Sequence, residues 1–121
     1  MSEQILIRVA DLVNSPRAVD ADDGERVFKE VCPLLRAGQK VQLSFDGITM
    51  VITAFLNASV GKLYGDISEE KITELLEVTN LRDAFQPALD KSIQWSKAYF
   101  QNRSRMEESV SEDFPNEEQS V

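Results

Sequence analysis

Residues 40–64, KVQLSFDGITMVITAFLNASVGKLY, decide the fold, because the apolar period changes from two to about 3.6 within them. Val41, Leu43 and Phe45 alternate with polar neighbours, which predicts a half-buried strand over Lys40–Phe45. Asp46-Gly47 is a turn dipeptide. Beyond it, Leu56, Val60 and Leu63, with Phe55, recur at helical spacing, which predicts a helix from Thr53 to Tyr64 with Thr53 near its N-cap. The apolar residues of 48–56 fall on both sides of the chain and imply a buried segment.

The flanks repeat the same alternation. Gln4–Val9 (QILIRV) reads as a strand, and Asp11–Asp22 reads as a loop punctuated by Asn14-Ser15-Pro16. A helix is expected from Asp22-Asp23-Gly24, with Asp22 as N-cap and acids in its first turn. Its inward face is Val27, Val31, Leu34 and Leu35, its end is Gly38, and Pro33 should kink it or split its last turn. Ser68–Thr73 has the capped, acidic start of a short helix. Glu74–Leu81 fits either a continuation of that helix or a strand; a strand over Leu76–Thr79 best explains the regular alternation of elements. Asp83–Asn102 reads as a long helix with Phe85, Leu89, Ile93, Ala98 or Lys97, and Phe100 inward. Trp95 falls off that face and is its best candidate for exposure. The order is α/β: helices against a small, mostly parallel or mixed sheet.

At 121 residues, 42% hydrophobic and 28% charged, the chain suits one globular domain. Histidine is absent, which excludes Ser–His and Cys–His nucleophile pairs and histidine-ligated zinc. The lone Cys32 allows no internal disulfide and reads as a semi-buried small hydrophobe. The formal charge of −8 is concentrated at one end. Six acids and no base lie in Glu107–Val121, and the other 15 acids stand against 13 bases in residues 1–106. The expected division is therefore a domain over 1–103 and an acidic, flexible tail over 104–121. Such a charge balance argues against direct nucleic-acid binding. The acidic start Met1-Ser2-Glu3-Gln4 and the lack of a long apolar run argue against a secretory leader or a membrane span. The expectation is a cytoplasmic protein. Asp20, Asp22, Asp23 and Glu25 lack the spacing of a calcium loop and read as capping and solvation. The five glycines are too dispersed for a phosphate loop. Neither metal nor cofactor is expected, and nothing points to an enzyme.

Residues 4–101 resemble the STAS-like family of small bacterial domains, relatives of the STAS domains of anti-sigma-factor antagonists. The resemblance rests on Phe45-Asp46-Gly47-Ile48, on Thr53-Ala54-Phe55-Leu56-Asn57, on Gly61-Lys62-Leu63-Tyr64, and on Val78-Thr79-Asn80-Leu81 and Lys97-Ala98-Tyr99-Phe100 in that order. It implies helices on a four- or five-stranded sheet, and protein binding rather than catalysis. The implied partner is an ATP-binding, kinase-like protein of the anti-sigma type. The antagonists' phosphorylated serine falls on Thr53, with Ile52 and Phe55 where that motif has Asp and Gly. The implied partner-binding residues are Asp46, Thr53, Asn57 and Tyr64, with Thr53 as phosphoacceptor. Read from the residues alone, Thr53 is a helix cap, and Asn57 either bonds a neighbouring segment or lines a contact surface. Trp95, Tyr99 and Phe100 form an exposed stripe or pack the last helix on the sheet. A homodimer through a sheet edge or the last helix stays open. The alternative function is an acidic effector whose Glu107–Glu118 tail blocks a basic, nucleic-acid-handling protein.

Overall fold

Strict alternation in Val41–Ser44 marks a strand buried on one face. In the computed structural model, which describes the backbone of residues 3–113 and the side chains of residues 3–101, β3 (Val41–Ser44) lies between β1 (Ile5–Arg8) and β5 (Leu76–Thr79). Both pairings are parallel. Their register puts Ile5, Val41 and Leu76 in one row and Ile7, Leu43 and Val78 in another. Side chains alternate across a pleat, so these rows share one face. Val41 and Leu43 on that face are buried in the hydrophobic core. The opposite face carries Leu6, Gln42 and Glu77, then Arg8, Ser44 and Thr79. It is largely polar and cross-linked: Gln42 Nε2 donates to Thr79 Oγ1 at 3.1 Å, and Gln4 Nε2 to Glu77 Oε1 at 3.0 Å.

Two short strands form a second, separate parallel ladder, β2 (Arg17–Ala18) on β4 (Met50–Val51). Among the described residues the five strands therefore divide into sheets of three and two, which corrects the expectation of one four- or five-stranded sheet. The turn at Asp46-Gly47 is the cause. Gly47 takes φ +85°, a conformation glycine adopts without strain, and leads the chain off β3. Thr49 and Ile52 then donate to the carbonyls of Pro16 and Ala18 at 2.7 and 3.1 Å. The expected loop at Asp11–Asp22 is thus partly ordered, by β2 and by α1 (Val9–Val13). Met50 and Ile52 point outward, 39% and 45% exposed, while Ile48 and Val51 are buried; the segment is buried on one side only.

Helix α2 (Ala21–Arg36) turns Val27, Val31, Cys32 and Leu35 inward. It starts from Asp20 rather than Asp22, with no side-chain cap, and runs unbroken through Pro33. Pro33 is exposed and near the end of the helix, so its missing donor costs one solvated bond. Gly38, at φ +85°, donates to the Leu35 carbonyl at 3.0 Å, and Gln39 donates to Leu34 at 2.9 Å. That pair of bonds closes the helix in a Schellman turn.

A second rod runs through α3 (Thr53–Leu56), a π turn (Asn57–Gly61) and α4 (Lys62–Asp66). Leu56, Asn57, Gly61 and Lys62 are all right-handed helical, so the axis continues across both junctions. Ile52 holds the N-cap position and Thr53 is the first helical residue, without a side-chain cap. Helix α5 (Glu69–Leu75) is capped by the Ser68 hydroxyl, which accepts from the Lys71 amide at 3.2 Å. A 3₁₀ turn at Asp83–Phe85 leads into α6 (Gln86–Asp113). The backbone of residues 104–113 continues α6; the side chains of that acidic segment, and residues 114–121, lie outside the described residues. Among the described residues no helix is long and apolar enough to cross a membrane. Phe45 and Phe55 meet edge to face at the centre of the core, ring centroids 6.3 Å apart.

Candidate functional site

The rod of residues 53–66 is held between α2 and α6, and glycines set how closely it lies to each. A Cβ on Gly24 of α2 would come within 2.6 Å of the Phe55 carbonyl oxygen and 2.8 Å of Ala58 Cβ. On the other side, a Cβ on Gly61 would stand 2.3 Å from Ser96 Oγ, and one on Gly65 would stand 2.5 Å from Phe100 Cε1. Ser92 and Ser96, one turn apart on α6, both face Gly61, while Gly65 faces the Phe100 ring. Ser59 donates to the Phe55 carbonyl at 2.8 Å, and such a bond to a carbonyl one turn back accompanies local distortion of a helix. The widened turn puts Asn57 opposite α6, where Ser92 Oγ donates to Asn57 Oδ1 at 2.6 Å. π turns of this kind occur frequently at functional sites.

Beside that hydrogen bond lies an open groove of about 530 Å³ lined by Thr53, Asn57, Lys91, Ser92, Gln94 and Trp95. Thr53 is exposed at its mouth and Asn57 is half-buried in its wall. Trp95 is 56% exposed and stacks on Tyr99, itself 45% exposed, with ring centroids 5.0 Å apart and planes 10° from parallel. Phe100 turns the other way, half-buried against Gly65. The aromatic stripe thus divides, two rings outward and one inward.

Asp46 and Tyr64 lie elsewhere. Asp46 pairs with Arg8 at 3.6 Å beyond the ends of β1 and β3, and Arg8 also reaches Asp11 at 3.4 Å. Tyr64 lines a separate cavity with Ile67, Ser68, Lys97 and Phe100. Burial pushes its phenol above the ordinary value; Lys97 opposes that shift and Glu69 adds to it. Of the four residues singled out from the sequence, the fold brings Thr53 and Asn57 together.

Several acids near the rod hold cations. Glu25 holds Lys62, Asp23 holds Arg26 at 3.1 Å, Asp66 holds Arg36 at 3.0 Å and Glu69 holds Lys97 at 2.7 Å. Cys32 is buried, its Sγ 3.8 Å from Asp66 Oδ2. Burial pushes the thiol up, Arg36 pulls it down, and Asp66 pushes it up through charge and hydrogen bond. Among the described residues no group of three or more His, Cys, Asp or Glu side chains could hold a metal.

Lys91, Ser92, Gln94 and Ser96 escaped the sequence reading. Ser92 and Ser96 are both 1% exposed, yet hydroxyl residues on a helix read as its solvent side. The signal that marks them is their spacing of four, which sets both hydroxyls on one side of the helix, against Gly61.

The three parallel strands, the helices on one face and the rod beginning just after β4 define a STAS-like α/β domain. The family model described as a STAS-like domain of unknown function matches residues 23–85, and the chain belongs to that family. No curated protein and no solved structure matches it significantly.

Proposed function

We propose that this chain is a non-enzymatic regulatory module that binds a protein in the groove between Thr53, Asn57 and Trp95. The partner we infer is an ATP-binding, kinase-like protein of the anti-sigma type, as the likeness to STAS antagonists implies. One observation carries the reading: Thr53 and Asn57 share a groove with an indole that is more than half exposed. Two stacked rings, Trp95 and Tyr99, stand exposed beside the groove, and Trp and Tyr are enriched among residues that dominate binding energy. Thr53 at the groove mouth supports its role as phosphoacceptor, since a phosphate there would meet the first amides of the rod and Lys91. The pairing of Asp23, Glu25, Asp66 and Glu69 with cations leaves no free carboxylate pair among them for acid–base work, and supports the non-enzymatic reading.

The test begins with capture from the native host through an N-terminal tag and mass spectrometry of the recovered proteins and of Thr53. The purified partner is then titrated against the parent chain, Trp95→Ala, and a chain ending at residue 103. The expected result is a kinase-like partner whose affinity falls about 30-fold or more on Trp95→Ala, the range of a binding hot spot, and changes little on truncation. A partner that ignores Trp95→Ala but is lost on truncation, or released by moderate salt, would replace this reading with that of an acidic effector acting through Glu107–Glu118.

A further inference from the structure

Among the described residues, β1 is the last strand on its side of the three-stranded sheet. The Ile5 amide donates to the Lys40 carbonyl at 2.9 Å. Donors alternate sides along a parallel ladder, so Ile5 and Ile7 bond β3 while Gln4, Leu6 and Arg8 direct their amides and carbonyls outward. Exposed edges are normally blunted by shortness, a charge, a proline or a bulge; β1 is four residues long and carries its charge at its end, on Arg8. The centre of β1 is instead Ile5-Leu6-Ile7, with Ile5 39% and Leu6 55% exposed. A groove of about 470 Å³ runs beside it, floored by Ile5, Ile7, Leu12, Pro33 and Leu34.

We infer that this edge is a homodimer interface, in which β1 pairs antiparallel with β1 of a second copy and joins the two sheets into one. Two observations select a second copy as the occupant. First, the charged residues lining the groove are Arg8, Lys29, Asp11 and Glu30, two of each sign. A two-fold contact lays a surface on itself, so a rim that carries both signs sets its cations against the second copy's anions. Second, the register is self-complementary. A two-fold axis through Leu6 sets Leu6 against Leu6, and Gln4 against Arg8 of the second copy. These are the residues whose backbone groups point outward, so each falls at a doubly hydrogen-bonded pair of an antiparallel ladder. Ile5 then faces Ile7 of the second copy on the side of the groove, and closes it.

Light scattering or sedimentation of the full chain over a concentration series tests this. The mass should rise from 13.6 kDa toward twice that value. Leu6→Pro deletes an outward amide without touching the bonds to β3, and Leu6→Lys places like charges at the two-fold axis. Both variants should stay at the monomer mass at the highest concentration, with unchanged far-ultraviolet dichroism; if the proline disturbs folding, the lysine variant carries the test. Trp95→Ala should dimerise like the parent. A parent that is monomeric throughout, a dimer that survives both Leu6 variants, or a dimer dispersed by Trp95→Ala would each overturn the inference.

Discussion

Gly61 and Ser96 share a single volume. A Cβ on Gly61 would lie 2.3 Å from Ser96 Oγ and 3.2 Å from Ser92 Oγ, so the missing side chain of one residue is the space that the other's hydroxyl fills. This contact fixes how closely α6 approaches the rod, and with it the width of the groove between Asn57 and Trp95.

Gly61→Ala should therefore destabilise the fold by about 1–3 kcal/mol, despite alanine's better helix propensity, because the added methyl overpacks a closed contact. Combining it with Ser96→Gly should recover about 1 kcal/mol or more as a coupling energy. Urea denaturation of the two single variants and the double variant measures it. Simple additivity would mean that the rod shifts freely and the contact is soft.

The bond from Ser92 to Asn57 predicts a different asymmetry. Asn57→Ala leaves a hydroxyl that is 1% exposed without its acceptor, at an expected cost of about 1–3 kcal/mol. Adding Ser92→Ala should return part of that stability, since removing both partners is cheaper than orphaning one. The same melts should show the double variant above the Asn57 single variant.

Trp95→Ala separates folding from binding. The indole is more than half exposed, so its loss should change stability by less than about 1 kcal/mol, while affinity for the captured partner falls sharply. A large drop in melting temperature would make Trp95 a packing residue.

Stability should decline in alkali. The Cys32 thiol, from an ordinary value of 9.0, and the Tyr64 phenol, from 10.0, are both pushed up by burial. The folded state then holds these protons more tightly than the unfolded state. Their contribution is complete below the unfolded-state values and is lost as pH rises through the folded ones. Denaturation midpoints should fall from about pH 9 upward, and Cys32→Ala should flatten the first part of that fall. Alkylation of Cys32 should be slow in the native chain and fast in urea.

Much of the architecture was legible locally. Val41, Leu43 and Phe45 declared their strand by alternation, Leu56, Val60 and Leu63 their helix by spacing, and Leu76–Thr79 its strand by position in the order. The exposure of Trp95 followed from its place off the apolar face. The candidate site was half legible. Thr53 and Asn57 were marked by the family pattern, but Lys91, Ser92 and Gln94 come from a helix more than thirty residues away and look like its solvent side.

The sequence by itself determined which segments become strands and helices, and which face of each is apolar, because those properties depend on neighbours within a few residues. It also determined the absence of imidazole chemistry. Only the tertiary structure decided that the five strands divide into sheets of three and two, since Gly47 redirects the chain and Thr49 and Ile52 spend their donors on the β2 segment. Only the tertiary structure decided that Ser92 and Ser96 are buried, that Asn57 meets α6, and that Asp46 and Tyr64 stand apart from Thr53. The physical reason is the same in each case. Two surfaces compete for one volume or one hydrogen bond, and the outcome depends on residues distant in the chain that meet when the helices close on the sheet.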